Sequence, residues 1–181
     1  MQLTSNVRRR EYLPLMRIEL SQMQAAHASL LVNLWQYYQL ESSVRENLDV
    51  DGTGRFETPE DVFSKALCFE NGSSAHLVQC DGAVAGFLIL HAAEIEGKPI
   101  SEFADLFVLP RYRGQGVATA VVEQVVLRST QPWLIAVFRD DLKAQAFWRG
   151  AFERLPFSSC REVVPPELPE FHEFVVNESC V

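Results

Sequence analysis

Residues 107–118 read Phe-Val-Leu-Pro-Arg-Tyr-Arg-Gly-Gln-Gly-Val-Ala: an apolar run stopped by Pro110, then two glycines one residue apart. Proline ends a strand, and glycine turns the backbone where a side chain would interfere, so the segment is a tight connection between two elements. Val117 to Leu127 follows, rich in valine, and propensity alone would make it a strand. The loop favours a helix instead. A helix starting there presents unpaired N–H groups and its positive dipole end to an anion, with Arg111 and Arg113 adding charge. A pyrophosphate is the anion that suits such a cradle. The spacing matches neither G-x-x-x-x-G-K-[ST] nor G-x-G-x-x-G, which disfavours ATP and nicotinamide chemistry. A plain Arg-Gly turn between strand and helix would carry the same residues.

The flanking chain has no internal repeat and no low-complexity linker. Met1 to Leu13 reads as a loose leader, and Pro14 to Leu20 as a first strand. Ser21-x-x-Gln24 has the form of a capping box, and Ala26, Leu30, Leu31, Leu34, Trp35 and Tyr38 recur at helical spacing. A second helix opens with Thr58 as N-cap and Pro59 at its first position, and Gly72 closes it. Asp81-Gly82 makes a hairpin of the runs Ala75–Cys80 and Val84–His91, with Gly86 marking a bulge. In a third run, Glu102 to Leu109, alternation puts Phe103, Asp105 and Phe107 on one face and Glu102, Ala104, Leu106 and Val108 on the other. Trp133 to Phe138 is an apolar strand, and Asp141 to Ala151 a helix with Ala144, Phe147 and Trp148 on one face. Late strands fall near Pro156–Val164 and Glu170–Val176. Hairpins followed by a strand–helix–strand–helix unit predict an α+β domain, a mixed sheet with helices packed on it.

At 181 residues the chain is expected to be one domain. With 48% hydrophobic residues it is no disordered chain, and 16 basic against 24 acidic residues disfavour nucleic acid as a partner. Ser21 to Leu40 lacks Asp, Glu, Lys and Arg, yet Gln22, Gln24, His27, Asn33, Gln36 and Gln39 make it unfit for hydrocarbon. Arg8 to Arg10 precede no apolar core, so no export signal is read. Cys68, Cys80, Cys160 and Cys180 lack the paired spacing of a zinc site, and reduced thiols in a cytoplasm are the expectation.

Arg113-Gly114-Gln115-Gly116-Val117-Ala118 fits the [R/Q]-x-x-G-x-[G/A] signature of the GCN5-related N-acetyltransferases, and Asp141-x-x-Ala144-x-x-Phe147-Trp148 resembles that family's second motif, N-x-x-A-x-x-[L/F]-Y. The resemblance extends from Ala75 to Phe152. It implies the acetyltransferase (GNAT) fold: three layers α/β/α around a mixed, mostly antiparallel sheet of about six or seven strands, splayed between the strands at 102–109 and 133–138. It implies acetyl-CoA as co-substrate, no metal, and direct transfer to a small primary amine in a ternary complex. The loop amides from Arg113 through Gly114, Gln115, Gly116, Val117 and Ala118 to Thr119, with Arg111 beside them, would hold the pyrophosphate. The backbone of Phe107 and Val108 would pair with pantetheine, while Asp141, Ala144, Phe147 and Trp148 would line its other side. Such enzymes form no acyl-enzyme, so the cysteines need no nucleophilic role. The expected partners are the amine and a second copy of the chain in a homodimer, with neither nucleic acid nor membrane.

The attacking amine must lose a proton, and a carboxylate on the central strand is the usual acceptor. Glu102 and Asp105 are the candidates; alternation sets them on opposite faces, so at most one would meet the reacting centre. Asp105, nearer the cofactor-binding end, is the first choice, although a solvated strand-end acid would look the same. Two positions depart from the family pattern. Trp148 stands where a tyrosine commonly protonates the leaving thiolate, and an indole N–H is no acid at neutral pH. Tyr38, or alternatively Tyr37, Tyr112 or water, takes that role, or the thiolate leaves unassisted. Asp141 replaces an amide and reads as a helix N-cap. Glu167 and Glu170, in the loop of Pro165, Pro166 and Pro169 that often borders the acceptor, point to a cationic substrate. The departure at Trp148 leaves a second reading, an acyl-CoA-binding sensor or interaction module that kept the fold and lost the chemistry.

Overall fold

The structure, a computed structural model, describes residues 16–178, so the leader, Pro14 and Cys180 lie outside the described residues. Strand β1 (Ile18–Gln22) pairs antiparallel with β2 (Ser74–Cys80), which turns back into β3 (Ala83–Ile95). Asp81 and Gly82 take φ of 49° and 78°, the left-handed pair that matches a two-residue turn to strand twist. Glu96 and Gly97, at 52° and 73°, repeat the device and carry β3 into β4 (Lys98–Val108). Both strands therefore run further than the apolar pattern predicts. Their shared end is mostly exposed, so Glu94, Glu96 and Lys98 need no apolar alternation.

Beyond β4 come β5 (Trp133–Phe138), β6 (Cys160–Glu162) and β7 (Phe171–Val176), giving seven strands in the order β1-β2-β3-β4-β5-β7-β6. Among the described residues only β4 and β5 run parallel, and the sheet is open between them. Helices α1 (Ala28–Glu46) and α2 (Glu60–Cys68) cover one face; Leu31, Trp35, Phe63 and Leu67 meet Leu77, Phe87, Ile89 and Phe107 there. On the other face lie α3 (Val117–Val122), which widens into a π turn over Glu123–Leu127, and α4 (Leu142–Arg154). Val117, Val121, Val126 and Trp148 pack there on Val78, Leu88, Phe103 and Ile135. Each such burial stabilises by roughly 1.5–3 kcal/mol, which is how valines at helical spacing override their strand propensity. Among the described residues no helix is long and apolar enough to cross a membrane.

Three local expectations are corrected. Ser21 stays in β1, its hydroxyl donating to Gln79 Oε1 at 3.4 Å, and the cap moves to Gln24, whose N–H donates to His27 Nδ1 at 3.0 Å. Pro59, not Thr58, precedes α2, and the helix ends at Cys68, where Phe69 takes a φ of 60°, short of Gly72. The third correction concerns β4. Ile89 faces Asp105 while Leu90 faces Phe103, so Ala104 is an extra residue, a β-bulge. Alternation resets there. Glu102 lies opposite His91, and Asp105 opposite Ile89, so the two acids share one face instead of dividing between two.

The bulge expected at Gly86 is present: Val78 faces Gly86 and Gln79 faces Val84, leaving Ala85 as the extra residue. A Cβ on Gly86 would stand 1.9 Å from the Phe107 carbonyl oxygen, an immovable backbone atom. Gly86→Ala should therefore lose roughly 3 kcal/mol or more in urea denaturation, while Gly52→Ala, whose added Cβ meets nothing within 4 Å, should change stability by less than about 0.5 kcal/mol. Equal, small effects would contradict the packing of β3 against β4.

Candidate active site

β4 and β5 pair only through Ser101–Trp133 and Glu102–Leu134. Among the described residues, no strand faces this edge of β4 past Glu102. The opening is a cleft of about 1690 Å³ between α1, β4, the glycine loop, β5 and α4.

Gly114 and Gly116 take φ of 70° and 82°, a region that side chains avoid, and the space where their Cβ atoms would stand is empty to 4 Å. The first helical N–H to bond back is that of Ala120, to Gly116 O at 3.0 Å, so the amides of Val117, Ala118 and Thr119 precede the ladder. Gly114, Gly116 and these three residues line the cleft. The Arg113 side chain fastens the loop instead. Its Nε donates to Val108 O at 2.6 Å and its Nη2 to Glu41 Oε1 at 2.8 Å, with the guanidinium 5.6 Å from the Phe107 ring centre. Arg111 and Gln115 stand outside the lining; Gln115 donates to Arg111 O at 2.7 Å, and Arg111 lies over Tyr112.

At the inner end, the Tyr38 hydroxyl donates to Asp105 Oδ1 at 2.9 Å. Trp35, Phe87 and Phe107 hold the Tyr38 ring, with centroids 5.0, 5.9 and 6.1 Å away. Burial pushes the Asp105 carboxyl above its ordinary value, partly offset by the Tyr38 bond and by His91. Burial and the Asp105 charge push Tyr38 far up, so it keeps its proton. Glu102 is also raised, first by burial, then by Asp105 and Glu173. Burial lowers His91, which lies across the ladder from Glu102 with its Nδ1 3.3 Å from the Ser73 hydroxyl. His91 was absent from the sequence candidates. The Glu96-Gly97 turn is the signal that finds it, because counting back from that turn sets residue 91 against residue 102.

Across the opening, Asp141 caps α4 as expected, its Oδ1 accepting from Ala144 N at 2.9 Å. Its Oδ2 accepts from Arg45 Nη1 at 2.6 Å, a bridge from α1 that no sequence pattern signalled. Arg45 also donates to Glu46 at 2.7 Å and lies 4.9 Å over the Phe138 ring. Ala144, Phe147 and Trp148 line the cleft with them. Glu167 and Glu170 do not: Glu167 Oε1 accepts from Glu96 N at 2.7 Å, and Glu170 O accepts from Arg139 N at 3.0 Å. Tyr37 points to solvent, Cys68 and Cys160 are exposed, and Cys80 is buried.

Residues 34–152 match the model of the Acetyltransferase (GNAT) family, and the chain belongs to that family. No curated relative matches it. Its fold is similar to that of an acetyltransferase from Thermus thermophilus, with a TM-score of 0.65 at 16% identity over 89% of this chain and 97% of that one. Arabidopsis thaliana Naa50, in complex with the bisubstrate analogue CoA-Ac-MVNAL, aligns at TM-score 0.54 and 14% identity, over 90% and 99% of the two chains. The PaiA N-acetyltransferase of Thermoplasma acidophilum, in complex with coenzyme A, aligns at 0.53 and 13%, over 88% and 98%.

The Asp105 carboxyl gives a pH test. Its folded pKa lies above its ordinary 3.8, so its contribution to stability is complete below that value and is lost as pH rises through the folded one. Asp105→Asn does not titrate, and its amide oxygen can still accept from Tyr38. The melting temperature of the variant relative to wild type should therefore climb as pH rises above the ordinary 3.8. A flat or falling difference would mean that the carboxyl is not raised.

Proposed function

We propose that the protein is an acyltransferase, an acetyl-CoA-dependent N-acetyltransferase that acetylates a small primary amine directly in a ternary complex. One observation carries this reading: an unpaired strand edge runs from a glycine-walled anion cradle to two carboxylates on a single face. The empty Cβ positions of Gly114 and Gly116 fit a pyrophosphate approaching the backbone, with the amides of Val117, Ala118 and Thr119 directed to it. The edge of β4 around Phe107 and Val108 suits an extended pantetheine, which would add to the sheet as a strand does. The coenzyme A bound by the Thermoplasma protein, and the CoA portion of the analogue bound by Arabidopsis Naa50, support the same donor here. Acetyl-CoA supplies an activated thioester, and the protein supplies position and electrostatics.

In the transfer, the amine nitrogen bonds to the thioester carbonyl carbon, the carbon–sulfur bond breaks, and one amine proton must leave. Glu102 and Asp105 stand on the face where it departs. Asp105 already accepts from Tyr38, whereas Glu102 makes no side-chain hydrogen bond among the described residues, so Glu102 takes the proton and Asp105 favours the cationic amine. The Tyr38 proton is committed to Asp105, and the thiolate draws its proton from water. Trp148, at the family's tyrosine position, shields the thioester as a wall. The described cysteines are free thiols, in keeping with a cytoplasmic enzyme.

Titration calorimetry with acetyl-CoA, followed by CoA release over a panel of primary amines, tests the reading. Wild type should bind and turn over, and Gly116→Asp should lose at least about tenfold in affinity through the opposed carboxylate. Glu102→Gln should bind normally yet lose roughly 10²–10⁴ in kcat, together with the fall in rate as pH drops through the raised Glu102 pKa. Tight binding with no turnover on any amine would identify the sensor instead, and no binding would remove the donor.

A further inference from the structure

Behind α4 lies a second, smaller cavity of about 190 Å³, lined by Val137, Trp148, Phe152 and Phe174 on one side and by the polar Gln145, Arg149, Glu162 and His172 on the other. Of its lining, Val137 and Trp148 also line the large cleft. Val137 is fixed in β5, so the Trp148 side chain is the partition between the two spaces. Its indole meets Phe103 edge-on at 5.5 Å, one residue before the Ala104 bulge, and stacks on Phe152 at 5.6 Å on its other flank. Only 8% of Trp148 is exposed, so its side chain is packed between the two spaces.

We propose that Trp148 sets the length of the acyl group this cleft accepts, and that the space behind it is a latent site for a longer, unbranched acyl chain. The inference rests on the donor reading above, in which the thioester lies at the β4 bulge. An acetyl group ends at the indole, and every further carbon needs the volume that the indole occupies. Val137, Phe152 and Phe174 give the second cavity an apolar wall suited to alkyl, while Gln145, Arg149, Glu162 and His172 form its polar side, where Glu162 is already paired with His172 Nδ1 at 3.0 Å. Each methylene that exchanges water for that apolar wall gains about fourfold in affinity. The tryptophan at this position is thus a specificity element, with the largest side chain available standing where the acyl chain would lengthen.

The test uses the full chain and calorimetry with acetyl-CoA and hexanoyl-CoA on wild type, Trp148→Ala, Trp148→Leu and the double variant Trp148→Ala/Phe152→Trp. Wild type should favour acetyl-CoA by about tenfold or more. Trp148→Ala should erase or reverse that preference, a relative gain for hexanoyl-CoA of at least about tenfold, and Trp148→Leu should lie between. The double variant refills the second cavity from the Phe152 side and should restore part of the preference for acetyl-CoA. If circular dichroism shows Trp148→Ala unfolded, Trp148→Leu decides alone. A preference unchanged in both single variants that still bind acetyl-CoA would overturn the proposal, as would a wild type that binds the two thioesters equally. Wild type binding neither thioester is a different result, which removes the donor reading itself.

Discussion

β4 and β5 are held together by two residue pairs and then part, and the rest of the site depends on that parting. A strand edge without a partner leaves N–H and C=O groups that lose hydrogen-bond free energy wherever water is excluded. The flanking elements keep the edge from closing. The Gly114–Gly116 loop turns the chain straight from β4 into α3 beneath the sheet, and Trp148 on α4 wedges against Phe103. The helices on the two faces then make the gap deep. The outcome is an extended slot with backbone hydrogen-bonding capacity along one side and a helix N-terminus at its mouth, which is the geometry a long, flexible, phosphate-ended donor requires.

The Ala104 bulge supplies the chemistry. Without the extra residue Glu102 would face α4, and Asp105 would be alone beneath α1. With it, two carboxylates and His91 meet the same space, and the charge on Asp105 raises the cost of ionising Glu102. Tyr38 lowers the cost of ionising Asp105 alone, by donating to its Oδ1, so two otherwise similar acids sit in unequal surroundings. Arg45 adds a cation at the cleft wall, but Glu46 and Asp141 already pair with it.

What could be read from the sequence was what residue type dictates locally. The two glycines in Arg-Gly-Gln-Gly permit a left-handed turn at low cost, and both adopt it. Asp141 three residues before Ala144 is a cap, and Asp81-Gly82 is a hairpin, for the same reason. The bulge at Ala104 was not legible. Phe103-Ala104-Asp105 alternates as an ordinary strand does, and only the pairing with β3 shows that a residue is left over. The displaced cap at Gln24 has a similar origin, since Ser21 had a better use in the β1–β2 ladder. The Arg45–Asp141 bridge joins residues far apart in the chain whose meeting is decided by how α1 and α4 lie across the opening. Local chemistry thus announced the glycine turn, and long-range register decided which face the two acids share.

In the proposed reading the donor binds along the open edge of β4, with its reacting end at the bulge. A crystal structure of the protein with acetyl-CoA bound is the most direct measurement. The pyrophosphate should lie on the amides of Val117 to Thr119, the pantetheine should hydrogen-bond to the β4 backbone between residues 103 and 108, and the thioester should stand between the Ala104 bulge and the Trp148 indole. A donor bound outside the gap, or β4 and β5 zipped together beyond Glu102 with the donor elsewhere, would contradict the account.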